Sequence, residues 1–145
     1  MTLTNSLVAF ADAVKALIEA NMDDLGIEWV FYGDQQKLPG SPVVCVEPDL
    51  KTNDLHAAKR QVEIVLRCQV LVYTSEVTSG EENRRNADLL SESIEAVLHL
   101  DPTVGGLCIH SIVDSVTSGY ASKAGTLVKA DRIQFSGLSQ SRLPW

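Results

Sequence analysis

Residues 62–73, VEIVLRCQVLVY, decide the fold of this chain. The even-numbered positions of the stretch are all apolar, and the odd-numbered positions mix polar with apolar residues. The apolar positions are Val62, Ile64, Leu66, Cys68, Val70 and Val72. Because side chains of a strand alternate between the two faces of a sheet, this pattern predicts a long strand with one buried face and one partly polar face. A strand of this length is usually central, so we expect shorter elements to pack around it.

Length and composition indicate a single globular domain. The chain has 145 residues, of which 45% are hydrophobic and 21% charged. The net charge is −7, and no cluster of Lys and Arg is present to neutralise nucleic-acid phosphates. The three cysteines lie inside apolar runs, which favours buried, reduced thiols. We expect no signal peptide, because the start MTLTNSL lacks a basic segment followed by an apolar run, and no membrane span, because no apolar run approaches roughly 18 residues.

The periodicity along the chain predicts two helices and five strands. Apolar residues recur at helical spacing in residues 5–21, which Thr4 or Asn5 can cap, and again after a capping box formed by Ser79 and Glu82, to about residue 99. Alternating or short apolar segments predict the strands at residues 27–32, 43–47, 62–73, 107–118 and 126–136. The last two are predicted to form a hairpin with a flexible tip at residues 119–125, and Lys129 and Asp131 suggest that the last strand leaves the core part way. This order predicts an α+β fold, with two helices on one face of a mostly antiparallel or mixed sheet of about five strands.

Two polar segments have no evident place in the core. Residues 49–60, DLKTNDLHAAKR, are predicted to form an exposed loop, and residues 137–145, GLSQSRLPW, a C-terminal tail. Such segments commonly contact other subunits, so we expect residues 140–145 to dock on an adjacent subunit or another component of the assembly, with Trp145 as an anchor. The alternatives are a frayed tail and a tail folded back on its own chain. The candidate interface residues are Asp49, Lys51, Asn53, Asp54, His56, Arg60, Arg142, Leu143 and Trp145.

The sequence contains no recognisable catalytic constellation. His56, His99 and His110 do not stand at metal-ligand spacing with another histidine, a cysteine or a carboxylate. The acidic pairs Asp23-Asp24 and Glu81-Glu82 fit helix ends better than a catalytic pair. We therefore expect no enzyme, no cofactor and no metal. A small-ligand module with a pocket between helices and sheet, and an enzyme assembled from scattered residues, remain open.

The whole pattern resembles the small tail-terminator and neck proteins of long-tailed bacteriophages. The likeness covers nearly the whole chain. It is carried by the order of the elements and by four segments: WVFYGD at residues 29–34, LPGSPVVCVEPD at 38–49, the long strand at 62–73, and SGEENRR at 79–85. Other neck proteins, such as head–tail joining and tail-completion proteins, have similar lengths and remain alternatives.

The resemblance implies a structural virion protein with an α+β fold and no cofactor. Such proteins assemble in the host cytoplasm as a ring, commonly of six copies, on the end of the finished tail tube. The ring stops tube polymerisation and offers a surface to the head connector and neck proteins. DNA passes through its lumen without specific binding, and the acidic composition agrees with that role.

Overall fold

The computed structural model describes residues 6–56, 58, 60–76 and 81–142. The helices are α1 (Leu7–Glu19), α2 (Met22–Leu25) and α3 (Glu81–Leu98). The strands are β1 (Trp29–Tyr32), β2 (Val43–His56), β3 (Gln61–Glu76), β4 (His110–Thr117), β5 (Tyr120–Lys123) and β6 (Thr126–Arg142). The α+β fold predicted from the sequence is confirmed, since the helices pack on a mixed, mostly antiparallel sheet.

Strand β3 lies in the middle of the sheet, as its sequence predicts. The strand order is β1-β2-β3-β6-β4, with β5 beside the start of β6. Strand β3 pairs antiparallel with β2 on one side and with β6 on the other, and β1 pairs parallel with β2. The predicted burial of its even-numbered face is confirmed: Val62 packs partly buried against the core, and the other five side chains are buried.

Helices α1 and α3 cover this even-numbered face of β3. Phe10 of α1 stacks on Phe135 of β6, with ring centroids 5.8 Å apart. A Cβ added at Gly137 would lie 2.8 Å from Phe10 and 3.0 Å from the Cys108 sulfur, so this close approach of α1 to β6 requires glycine. Apolar side chains of α1, α3 and the sheet form one core, and for this reason both helices lie on the same face of the sheet. The opposite, helix-free face carries the odd-numbered residues of β3.

Helix α1 begins and ends differently from the prediction. Its N-cap is Ser6, whose hydroxyl oxygen accepts a hydrogen bond from the Ala9 amide at 3.2 Å, rather than Thr4 or Asn5. It ends at Glu19, and a separate short helix, α2, contains Asp23 and Asp24 in its first turn. A helix dipole favours carboxylates at that position. The two aspartates therefore begin a second helix instead of ending the first.

The predicted loop at residues 49–60 is wrong for most of its length. Strand β2 runs on to His56 and pairs with β3 throughout. Pro48, which suggested the end of the strand, sits next to a register shift between Pro48 and Leu50. Proline is tolerated at bulges and on edge strands. The bulge lets β2 continue, although the exposure expected for this segment is present in its side chains.

The predicted tail is wrong for residues 137–142. Strand β6 continues through these residues to Arg142, whose register partner is Gln61 of β3. The docking on a neighbouring subunit that we expected for residues 140–145 is therefore replaced at residues 140–142 by pairing within the same chain. Small and polar residues such as Ser139 and Ser141 obscured the strand, which β3 stabilises through backbone hydrogen bonds. Leu143 and Trp145 lie outside the described residues.

The two closing strands form the predicted hairpin, with a third strand inside its tip. Strand β4 pairs antiparallel with β6, and β5 continues along the same side of β6 toward the turn. Ala124 and Gly125 make that turn with φ values of 51° and 83°. Two consecutive residues with positive φ fit the tight hairpin turns that match strand twist. The tip predicted to be flexible is therefore mostly strand.

Candidate functional site

The outer half of β2 forms an open edge of the sheet, here called the β2 edge and comprising residues 49–56. Residues 49–55 are all exposed, although each lies in the strand. Strand β1 pairs with β2 only at residues 43–46, so β3 is the one neighbour of the β2 edge among the described strands. Leu50 and Leu55 are 45% and 55% exposed there. An unpaired edge with exposed apolar side chains is suited to contact with another chain.

Most of the candidate interface residues lie at this edge. Asp49, Lys51, Asn53, Asp54 and His56 all belong to it. Arg60 stands in the turn after it with a φ of 52°, and the backbone of Arg142 lies opposite Gln61 at the same end of the sheet. The structure thus brings together residues that the sequence placed in a loop and a tail. Their role as an interface stays a prediction.

The opposite border of the sheet is a second open edge, here called the β4 edge, formed by β4. Among the described strands, β4 pairs only with β6, so no strand pairs with its outer side. Ile112 and Val116 are 56% and 41% exposed on it, and Ile109 is exposed just before it. Sequence reasoning missed this edge because alternation predicts a strand without telling which side of it stays unpaired.

A charged cluster fastens the segment after β1 to the helix-free face. The Tyr73 hydroxyl donates to Asp34 Oδ1 at 2.6 Å, and Lys123 Nζ lies 2.8 Å from the same oxygen. Lys123 Nζ also lies 4.6 Å from the centre of the Tyr73 ring. Burial, together with the hydrogen bond to the Asp34 carboxylate, raises the pKa of Tyr73. The phenol therefore stays protonated and acts as a hydrogen-bond donor.

A cavity of about 390 Å³ opens beside this cluster, on the side of the sheet away from the helices. Asp34, Glu47, Gln69, Tyr73 and Arg132 contribute to its lining. This location differs from that of the pocket expected for a small-ligand module, which would lie between helices and sheet. The helix–sheet space is occupied by apolar core side chains, including Phe10, Leu66, Ile94 and Phe135.

A second charged cluster lies on the helix-covered face and joins α3 to β6. Lys129 Nζ is 2.7 Å from Asp131 Oδ1 and 2.8 Å from Asp88 Oδ1, and Ser91 donates to Asp131 Oδ2 at 2.6 Å. Burial lowers the pKa of Lys129, but the hydrogen bonds to Asp131 and Asp88 outweigh this effect and raise it. We interpreted these charges as the point where β6 leaves the core, and that interpretation is wrong. Lys129 and Asp131 can both be buried because their opposite charges neutralise each other.

His99 connects two elements of the fold, and the three cysteines are buried. His99 Nε2 accepts a hydrogen bond from the Val113 amide at 3.2 Å, so this residue links the end of α3 to β4. The three cysteines are free and buried, as predicted. Burial raises the pKa of Cys68 to about 12 and that of Cys108 to about 11. Their thiols are therefore protonated at neutral pH.

One group of potential metal ligands is present in the described part of the chain. It consists of Asp54, His56 and Glu63, whose ligand atoms all lie within 4.8 Å of one another. Two of the three belong to β2 and the third to β3. Spacing within the sequence could not show this group, because Glu63 is brought to the other two by the register of the β2–β3 hairpin.

Comparison with known proteins adds no relative. The sequence matches no protein-family model and no curated protein. None of the helices within the described residues is long and apolar enough to cross a bilayer. The two sheet edges and the side-chain clusters are therefore the structural basis for a functional proposal.

Proposed function

We propose that this chain is a structural virion protein that forms a ring on the end of a bacteriophage tail tube. The ring would end tube polymerisation and present a surface for attachment of the head. The observation that carries the proposal is the presence of two different open edges at opposite borders of one sheet, each with exposed apolar side chains. The resemblance of the sequence to tail-terminator and neck proteins supplies the biological setting.

The positions of the two edges favour a ring over a two-fold dimer. The β2 edge and the β4 edge are different surfaces, separated by β3 and β6. When one surface of a subunit binds a different surface of the next, the contact is heterologous and generates a ring if the rotation closes. Leu50 and Leu55 on one side and Ile112 and Val116 on the other supply apolar area for such a contact. Six copies is the number that the resemblance implies.

Charge is compatible with the proposed position around DNA. The chain carries a net charge of −7, and a ring multiplies that charge by its number of copies. An acidic lumen repels the phosphate backbone, so DNA would pass without being held. The tail tube protein and the head connector or neck proteins are the partners of the two ring faces in this proposal. Its place is the virion, with assembly in the host cytoplasm.

Two other functions remain as alternatives to test. A head–tail joining or tail-completion protein would use the same two edges to form a ring at a different station of the neck. A small-ligand module would use the cavity beside Asp34 and Tyr73, and it would need no oligomer. The stoichiometry and the location of the assembled protein distinguish these alternatives from a tail terminator.

The proposal is tested by placing a charge on the β4 edge. We expect the native chain to form a closed ring, alone or when mixed with purified tail tubes, with a mass that is a multiple of the 15.8 kDa subunit. Ile112→Glu should abolish the ring, because burying an unpaired carboxylate in a contact is strongly unfavourable. Leu89→Glu is the matched control, since Leu89 is 52% exposed on α3, away from both edges. Native mass spectrometry and electron microscopy of the tubes provide the measurements.

The contrary outcomes are equally definite. A native chain that stays monomeric both alone and on tail tubes would overturn the proposal. Equal loss of assembly in the Ile112→Glu and Leu89→Glu variants would show that the β4 edge has no special role. A ring found on the head connector but never on tail tubes would favour the joining-protein alternative.

A further inference from the structure

Three donor atoms meet near the outer end of the β2–β3 hairpin. Asp54 and Glu63 are direct register partners across the two strands, and His56 follows Asp54 by two residues on the same face. His56 Nε2 lies 3.3 Å from Glu63 Oε2 and 3.8 Å from Asp54 Oδ2. One imidazole nitrogen and two carboxylate oxygens therefore converge on one point of the helix-free face.

Ordinary strand pairing does not account for this arrangement. Two carboxylates placed directly opposite each other on neighbouring strands repel and destabilise the pair. His56 Nε2 is shielded from solvent and has no hydrogen-bond partner among the described residues. Glu63 Oε2 is close to it, but the geometry of that contact is unfavourable for a hydrogen bond. The hairpin thus holds a nitrogen without a hydrogen bond beside two negative oxygens, and a bound cation would satisfy all three.

We propose that Asp54, His56 and Glu63 bind a divalent metal ion of the zinc class. Zinc–nitrogen and zinc–oxygen bonds of about 2.0–2.2 Å at tetrahedral angles place neighbouring ligand atoms about 3.4 Å apart. The Nε2–Oε2 distance of 3.3 Å fits this value, the distance of 3.8 Å to Asp54 is somewhat longer, and all three ligand atoms lie within 4.8 Å of one another. The nitrogen donor favours zinc or a similar transition metal over magnesium and calcium, which prefer oxygen ligands.

Three protein ligands leave at least one coordination position open. The side chains of Asp54, His56 and Glu63 are 78%, 41% and 39% exposed, so the cluster lies at the protein surface although the Nε2 atom itself is shielded. Water or a group from another molecule can complete the coordination there. All three protein ligands come from one subunit, so the metal site does not depend on the proposed ring.

The competing arrangement is a protonated His56 that pairs with both carboxylates without any metal. Both arrangements use the same three residues, so loss of stability in a variant would not separate them. Only the metal site predicts saturable binding of zinc that depends on the imidazole nitrogen. The test therefore measures metal binding directly.

The experiment titrates the full-length chain with Zn²⁺ in competition with a chromophoric chelator. We expect a single site in the native protein, and a loss of affinity of at least about tenfold in each of the Asp54→Asn, His56→Gln and Glu63→Gln variants. His110→Gln is the matched control, because it removes an exposed histidine from β4 and should leave the affinity unchanged. Zinc should also raise the melting temperature of the native protein and not that of His56→Gln.

Cobalt provides an independent check on the ligands. The visible spectrum of bound Co²⁺ should show ligand-field bands without a thiolate charge-transfer band, since the cysteines are buried and their pKa values are raised. A thiolate band would place the metal at a cysteine and overturn the proposal. The absence of saturable zinc binding, or equal affinity in the native protein and His56→Gln, would also overturn it and leave the ion pairs as the role of the cluster.

Discussion

The two halves of strand β2 differ completely in burial, although both pair with β3. Residues 43–46 are all buried between β1 and β3, with Val44 and Val46 in the core beneath the helices and Val43 and Cys45 in a second apolar cluster on the opposite face. Residues 49–55 are all exposed and have β3 as their neighbour on one side. The first half is apolar, whereas the second contains aspartate, asparagine and lysine, which are depleted in strands. Pairing with a long central strand is therefore sufficient to make a strand of a sequence that has little preference for it.

The difference in burial also separates residues that determine stability from residues that are available for interaction. Side chains of the buried half have their contacts within the chain, so their substitution should change the free energy of unfolding. Side chains of the β2 edge have few such contacts, so their substitution should change assembly or metal binding instead.

The largest loss is expected in the charged cluster beneath α3. Lys129→Met should lower the free energy of unfolding by about 3–5 kcal/mol, because it leaves the buried Asp131 carboxylate without its cation. Urea unfolding followed by circular dichroism gives the value. The double variant Lys129→Met, Asp131→Asn removes the unpaired charge and should recover most of the loss. A double variant as unstable as the single one would mean that packing, not charge, explains the effect.

The same cluster predicts a loss of stability in alkali. The pKa of Lys129 is raised above its ordinary value of 10.5, so the folded state binds the proton more tightly than the unfolded state. The resulting stabilisation is fully present below the unfolded pKa and is lost as pH rises through the folded pKa. The difference in stability between the native protein and Lys129→Met should therefore shrink above about pH 10.5. A difference that stays constant through that range would contradict the raised pKa.

The next prediction compares the loss of stability caused by substituting two residues that face each other across the β2–β3 pair. Leu66 is fully buried and its register partner Lys51 is exposed. Leu66→Ala should cost about 2–5 kcal/mol by leaving a cavity under the helices. Lys51→Ala should change the free energy of unfolding by no more than about 0.5 kcal/mol. Chemical unfolding of both variants provides the comparison, and similar losses in the two would show that the exposed half of β2 also carries stability.

The contrast between Leu66 and Lys51 also explains how much of the fold the sequence could predict. The strict alternation of β3 reflects burial on one face, so its length, its face and its central place were predictable from residues 62–73. The residues of the β2 edge disfavour strands and Pro48 suggests a boundary, so the sequence predicts a loop there. Residues 137–142 were missed for a similar reason, since β3 holds them in the sheet through backbone hydrogen bonds.

Predicting the candidate sites requires the strand register even more than predicting the fold does. Asp54 and His56 were selected as exposed interface residues, but their relation to Glu63 requires the pairing of β2 with β3. The β4 edge depends on β4 being last in the strand order, which one-dimensional alternation does not encode. The pairing of Lys129 with Asp131 could have been suspected from two opposite charges at alternate positions of an apolar strand.

The smallest effect on the isolated chain is expected for Leu55→Thr on the β2 edge. Leu55 is 55% exposed, and threonine keeps the preference for a strand, so the free energy of unfolding should change by no more than about 0.5 kcal/mol. If Leu55 is buried between subunits, its loss removes roughly 1.5–3 kcal/mol of hydrophobic stabilisation from each contact, and ring formation should require higher protein concentrations. Urea unfolding of the monomer and mass measurement over a dilution series give the two quantities.

The register separates this prediction from the metal site. Leu55 lies on the opposite face of β2 from Asp54 and His56, so Leu55→Thr should leave zinc affinity unchanged. Leu100→Thr is the control for assembly, because Leu100 is 65% exposed beyond the end of α3. Assembly weakened by Leu55→Thr and not by Leu100→Thr would place the β2 edge in the ring. A monomer destabilised by several kcal/mol, or rings equally affected by both changes, would instead mean that the two halves of β2 differ in exposure without differing in role.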